Sequence, residues 1–198
     1  MGSASRRPWL TIGGHVALDL CNTRAWRLDP ARSIDRLHGW PDLLDWYATV
    51  CPDAAPLGEQ GKHAAELDRV RTLRDTTIAV LDAHLDGHDP GADQLGRILT
   101  EYRRFLRAAT PEPGLPLRLH VTGTDAATLP PRLCAHVVNL LRDADLTRLR
   151  RCDGPGCGSF FLDPTRNRSR RWCDPDDCGN RHRVREYARR HPRTSRKT

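Results

Sequence analysis

The sequence predicts a mainly α protein: a helical N-terminal domain with a short strand or two, then a small cysteine-rich C-terminal module of short β-ribbon and helix. Three observations carry this. Apolar residues recur at three- and four-residue steps over long stretches between 62 and 108. Four cysteines gather between Cys152 and Cys178 inside turn-forming sequence. The charge is also uneven: residues 148–198 hold 15 Lys and Arg against 6 Asp and Glu, a net of +9, while the rest holds 17 against 19.

Taken in order, residues 1–8 read as a frayed tail, and Trp9 to Ile12 as a short strand before the turn at Gly13-Gly14. His15 to Thr23 is the first buried helix, with Val16, Leu18 and Leu20 inward. On it Asp19 and Asn22 stand three apart, hence on one face. They form either a polar pair in a ligand pocket or, the reading favoured, a tie to a neighbouring loop. Leu28 to Gly39 is a connecting turn in which Ser33 caps a brief segment carrying Ile34 and Leu37. Pro41 suits the first turn of the next helix, where its missing N–H costs nothing. Leu43, Leu44, Trp46, Tyr47 and Val50 give that helix its stripe, and a Pro/Gly-rich loop follows at Asp53 to Gly61.

Residues 62–86 form the clearest helix, through Ala64, Leu67, Val70, Ile78, Leu81 and Leu85, and Gly87 stops it. Asp93 to Ala108 is a second long helix, whose aromatic residues are core. Pro111 to Pro116 breaks it. Leu117, Leu119 and Val121 alternate with Arg118 and His120 as a strand. Pro130-Pro131 opens a helix carrying Leu133, Val137, Leu140 and Leu141, with His136 as a packing residue. The division expected is 1–147 for the helical domain, 148–192 for the module and 193–198 for a disordered basic tail.

In the module, Cys152 and Cys157 form one C-x4-C pair and Cys173 and Cys178 another, each around a turn of Asp, Gly and Pro, with fifteen residues between the pairs. Such turns point two sulfurs at one place, and two of them can surround one tetrahedral Zn²⁺. Disulfides, unrelated core cysteines and an iron–sulfur cluster are the competing readings. The first is disfavoured by the absence of a signal peptide pattern, which indicates a reducing, cytoplasmic setting. The second fails because these cysteines lie in polar turns. The third stays open by residue type. Four thiolates leave no open position on zinc, so such a site is a folding element. Arg150, Arg151, Arg170, Arg171 and Arg181 flank it and can screen its negative charge. Ser159 to Leu162 is a strand, with Phe160, Phe161 and Trp172 as a miniature core. From Gly179 the pattern is helical, with Val184, Tyr187 and Ala188 facing inward.

Cys178-Gly179-Asn180-Arg181, preceded by Ser169-Arg170-Arg171-Trp172-Cys173, resembles the CGNR zinc finger, as do Phe161-Leu162-Asp163 and Arg166-Asn167. Ala17-Leu18-Asp19-Leu20-Cys21-Asn22-Thr23 is similar to the opening of the ABATE domain that usually precedes such a finger. Cys21 departs from the plain aliphatic usual there. The resemblance spans nearly the whole chain. It implies a zinc-binding, stress-induced transcription regulator and, through that description, DNA binding.

No P-loop, GxGxxG after a strand, HExxH or Gly-x-Ser-x-Gly is found, and no enzyme reading emerges. No apolar run reaches the roughly 18 residues that span a bilayer. A basic module beside a near-neutral body is the footprint of a partner of polyanions. The expected function is a zinc-dependent DNA-binding regulator. Arg166, Arg168, Arg170, Arg171, Arg181, Arg185 and Arg189 are its candidate nucleic-acid contacts, and Arg181, Arg185 and Arg189 form a stripe at four-residue spacing. The helical domain would dimerise or sense a small-molecule effector. The alternative makes the zinc module a structural brace or protein-interaction surface, or an RNA binder.

Overall fold

The computed structural model describes residues 9–54, 56–58 and 63–191. The expectations for residues 1–8 and for the tail at 193–198 lie outside the described residues, as does part of the 53–61 loop. The protein is mainly helical, with α1 (Val16–Asn22), α2 (Trp40–Val50), α3 (Ala64–Leu85), α4 (Ala92–Ala108), α5 (Leu129–Asp143) and α6 (Asn180–Arg190). Three antiparallel pairs of short strands join them among the described residues: β1 (Arg24–Ala25) with β2 (Ile34–Asp35), β3 (Thr110–Pro111) with β4 (Leu119–His120), and β5 (Leu149–Arg151) with β6 (Phe160–Leu162). No helix among the described residues is long and apolar enough to cross a membrane.

Local chemistry sets the helix ends. Pro41 lies in the first turn of α2, where Asp42 accepts a hydrogen bond from the Gly39 amide at 2.9 Å. Gly87, at φ +76°, ends α3. There the His88 amide bonds Ala83 O at 2.8 Å and the Gly87 amide bonds His84 O at 3.2 Å, a pair that saturates the last carbonyls. The segment expected to be a connecting turn at 28–39 is part of the β1–β2 hairpin, its register pairing Arg24 with Asp35. Two-residue strands carry too few alternating positions to stand out in the sequence. Trp9 to Ile12, expected as a strand, joins no ladder, although Gly13 O accepts the Leu162 amide at 2.9 Å.

α1 is the hub, packed against α3, α5 and β6, while α4 lies across α3 and α5. Leu18, Leu20, Leu43, Val70, Leu81, Leu129, Leu133 and Leu140 form the main core, and Leu149 and Phe160 extend it into the C-terminal segment. A second cluster holds the four cysteines and Phe161, with Ile12, Trp26 and Trp172 against it. Phe160 and Phe161 were expected in one miniature core. Adjacent strand residues face opposite ways, so Phe160 enters the helical core while Phe161 lies beneath the cysteines.

Two buried arginines tie the parts together. Arg74 of α3 is 1% exposed, chelates Asp35 at 2.7 and 2.7 Å and reaches Asp75 at 2.9 Å. Arg27 holds Asp82 of α3 at 2.6 and 2.8 Å and donates to Gly158 O, with its guanidinium 4.3 Å above the Phe160 ring. Arg151 binds the same Asp82 at 2.9 Å and also pairs with Asp86. It therefore fastens β5 to α3 rather than screening thiolates.

Candidate metal centre

β5 delivers Cys152, whose amide continues the hairpin to Ser159 O at 2.8 Å. The chain then turns so tightly that the Cys157 amide bonds Gly154 O at 2.9 Å. A Cβ at Gly154 would lie 3.1 Å from Cys178 Sγ and 3.3 Å from Cys157 Cβ, so the close approach of backbone to sulfur favours glycine there. In the second knuckle Asp174 accepts amides from Asp176 at 2.8 Å and Asp177 at 3.3 Å. These bonds start the π-helical turn Pro175–Gly179 that carries Cys178 and runs into α6. The Asp153 amide bonds Arg171 O at 3.0 Å and links the two knuckles.

All four cysteines are buried, and their sulfurs lie within 4.8 Å of one another. Cys173 Sγ stands 3.7 Å from both Cys157 Sγ and Cys178 Sγ. A regular tetrahedron with Zn–S bonds of about 2.3 Å has edges of about 3.8 Å. The donor set therefore fits one zinc ion. Disulfides are excluded at these separations. A multi-iron cluster, left open by residue type, would need inorganic sulfide between irons, for which sulfurs this close leave no room. Amides of Gly154 and Cys173 donate to Cys152 Sγ at 3.4 and 3.3 Å and stabilise thiolate there. Thiols packed this closely titrate as one unit. Four adjacent thiolates repel one another, so without a cation between them they cannot all be ionised. A central dication lets all four be thiolates together. With four sulfur ligands the centre is saturated, a structural zinc site.

Asp163 organises the loop between the knuckles. Its inaccessible carboxylate accepts from the Thr165 amide at 2.8 Å, the Thr165 hydroxyl at 2.6 Å and the Arg170 amide at 2.8 Å. Burial opposes ionisation, but these bonds outweigh it and hold the carboxyl below its usual range. Gly179 has ordinary helical φ and is restricted by space instead: a Cβ would come 3.2 Å from Trp172 Cδ1. Trp172 packs against the cysteine cluster and, at 4.7 Å between centroids, against His182. This is the packing role expected of it.

The seven candidate arginines divide. Arg170 turns inward: its guanidinium donates to Trp172 O at 3.0 Å, Ile12 O at 3.1 Å and Cys173 O at 2.5 Å, and lies 4.2 Å over Phe161. It braces the knuckle against the N-terminal segment. Arg171 pairs with Asp153 at 2.8 Å, Arg181 with Asp177 at 2.6 Å, Arg189 with Glu186 at 2.9 Å and Arg168 loosely with Asp145 at 3.9 Å. All four remain exposed. Arg166 and Arg185 are exposed and make no ion pair among the described residues. Val184, Tyr187 and Ala188, expected to face inward, are exposed, Val184 by 60% and Tyr187 by 67%. The cause is that α6 projects from the π-helical turn and no residue of it is buried. Arg183 and Arg190 also lie on it, outside the four-residue stripe of Arg181, Arg185 and Arg189.

Asp19 and Asn22 are engaged by backbone. Asp19 accepts the Gly13 amide at 2.8 Å, and burial raises its carboxyl to about 6. Asn22 accepts the Phe160 amide at 2.8 Å and donates to Phe160 O at 2.9 Å, closing a reciprocal pair between α1 and β6. They line a cavity of about 70 Å³ above Cys157 and Cys173. Small-molecule sites usually run from about 300 Å³ upward. The geometry favours the tying role over the ligand pocket.

Residues 148–191 match the CGNR zinc finger family, and residues 14–153 match the ABATE family, described as "Putative stress-induced transcription regulator". No curated protein matches the chain. Both families are of regulatory or zinc-finger type rather than enzymatic. With a match over most of its length and the four-sulfur centre in place, the chain belongs to the ABATE family and carries a CGNR zinc finger.

Proposed function

We infer that this regulator binds duplex DNA through its zinc module, with α6 as the element that approaches the groove. The observation that carries this reading is α6 itself: a helix with no buried residue, rooted at the metal centre and bearing Arg181, Arg183, Arg185, Arg189 and Arg190. An exposed arginine-rich helix fixed at one end has the dimensions and charge to follow a groove and its phosphates. The zinc, Arg170 and Asp163 hold its root. Arg166 and Arg185 are free to meet phosphate. Arg168, Arg171, Arg181 and Arg189 can exchange exposed intramolecular partners for it, since surface ion pairs are worth only about 0–1 kcal/mol. Arg170 leaves the set of contacts, because its donors are used within the fold.

Fluorescence anisotropy with a DNA duplex at several salt concentrations tests the reading. Log affinity should fall with log salt by about 0.9 per phosphate contacted, so a slope of several units is expected. Replacing Arg181, Arg185 and Arg189 together by Ala should flatten that slope while zinc content and melting temperature stay unchanged. Binding that is absent at low salt, or indifferent to salt, overturns the proposal. Preference for structured RNA in competition redirects it to the wide minor groove of RNA. A protein-interaction role draws on the exposed Val184 and Tyr187, and is favoured if an acidic protein partner, not DNA, protects α6 from proteolysis.

A further inference from the structure

We propose that α4 is a self-association surface, on which a second copy of this chain packs its own α4 in antiparallel orientation. α4 buries Ile98, Glu101 and Phe105 against α3 and α5. About a quarter turn away it carries a second apolar stripe: Ala92, Leu95, Leu99, Tyr102 and Leu106, at the alternating three- and four-residue spacing of a coiled-coil seam. Leu95, Leu99 and Leu106 are 44%, 45% and 47% exposed, and Tyr102 is half-buried, stacked on Phe105. Scattered exposed leucines need no explanation, but an unbroken seam along four turns is what a helix offers another helix.

The column of residues beside that seam says which helix. It reads Asp93, Gly96, Thr100, Arg103, Arg107. Asp93, Arg103 and Arg107 make no ion pair among the described residues, so the column is acidic at its start and basic at its end with no side-chain partner among those residues for either charge. A second α4 running the opposite way sets Arg103 and Arg107 of one copy beside Asp93 of the other. A parallel two-fold copy would set this column against the opposite flank of the seam, where Ile98 and Phe105 are buried within the chain, and would leave its charges unanswered. Opposed helix dipoles favour the same orientation. Gly96 is the independent sign. Glycine weakens a helix interior, and here a Cβ would meet nothing within 4 Å, so no close contact among the described residues requires it. In the antiparallel pair, with Leu99 near the two-fold axis, Gly96 lies opposite Arg103 of the other copy and leaves room for its side chain. A single-helix seam is smaller than the roughly 1,600 Å² of a standard interface, so a weak, concentration-dependent equilibrium is expected.

The pairing does not require DNA, so its test is run without any, and its failure leaves the DNA reading untouched. Sedimentation velocity on the zinc-loaded protein from about one to several hundred micromolar should show a rise from monomer to dimer mass. The double change Leu95→Glu, Leu99→Glu should keep the chain monomeric throughout, with zinc content and helical circular dichroism retained. Leu99→Cys under mild oxidation should give a covalent dimer readily, because position 99 faces itself. Leu106→Cys should do so at least tenfold less. Gly96→Leu should weaken dimerisation at least tenfold while leaving the monomer folded. A monomer at every concentration, or a dimer indifferent to the double change, overturns the proposal. Equal cross-linking at 99 and 106 overturns the antiparallel orientation.

Discussion

The helical body and the zinc module face one problem, how to hold a chain in place, and meet it with different means. The body has an apolar core running from Ala17 to Phe160, which holds α1, α3 and α5 chiefly by burial. The module has Phe161 and four cysteines, with Ile12, Trp26 and Trp172 alongside. So little apolar surface cannot offset the chain entropy of some forty residues. Metal ligation supplies the difference, and polar ties do the docking: Asn22 to Phe160, Gly13 to Leu162, Arg170 to Ile12. The contrast teaches how to read an arginine-rich segment. Arginines that stitch the two regions together are at least half-buried and multiply bonded, whereas those on α6 are exposed and make at most one ion pair each among the described residues.

The largest effect expected on this comparison comes from the metal. Structural zinc contributes about 10–16 kcal/mol of apparent binding energy in small modules, as much as the whole stability of many domains. Chelation, or Cys173→Ser, should unfold residues 152–190 while α3, α4 and α5 stay helical. Hydrogen exchange resolved by region is the check. If the helical body exchanges as fast as the module, the two are not held by separate means. Next comes Arg74→Ala, which empties a buried site and strands the charge of Asp35. Because water can still hydrate Asp35, a loss of about 3 kcal/mol in urea unfolding is expected, larger than for any exposed arginine on α6. Asn22→Ala removes both bonds to Phe160 and orphans two backbone groups, at about 1–3 kcal/mol each. Melting should show the module loosening from the body with its zinc still bound, as measured by a thiol-reactive chromophoric chelator.

The smallest effect is a pH dependence that separates the two regions. Burial raises the Asp19 carboxyl from 3.8 to about 6, so the folded body holds a proton that the unfolded chain has lost. Its contribution to stability is full below about 4 and declines as pH rises through about 6. Asp163 has the opposite sign. Its folded value is depressed by hydrogen bonds, so its contribution is present above the unfolded value near 3.9 and is lost as pH falls below that. Asp19→Asn should flatten the profile between about pH 4 and 6 only, and Asp163→Asn only its acid limb. Any other pattern would mean that burial does not set the titration of Asp19, or that the hydrogen bonds do not set that of Asp163.

Much of this was legible before any coordinates. Leu67, Val70 and Leu81 announce α3 by their spacing, and Gly87 announces its end, because helix periodicity and a left-handed stop are local properties. Cys152, Cys157, Cys173 and Cys178 announce a four-sulfur metal site, because a tight turn brings each pair together without help from the rest of the chain. What was hidden depended on partners far apart in sequence. Nothing around Arg74 or Arg27 predicts that Asp35 and Asp82 will meet them. Asp163 and Gly154 look like loop residues until the sulfurs and amides crowd around them. Val184 and Tyr187 look like an inward face, and only the direction in which α6 leaves the metal exposes them.

By itself, then, the amino-acid order determined the helices, the four sulfur ligands and the concentration of positive charge at one end. These depend on residue spacing within a few turns. The folded arrangement decided which arginines are spent as internal bolts and which stay on the surface, and which aromatic ring belongs to which core. Those choices follow from how β6 lies against α1 and how α6 leaves the zinc centre, and no local pattern encodes either.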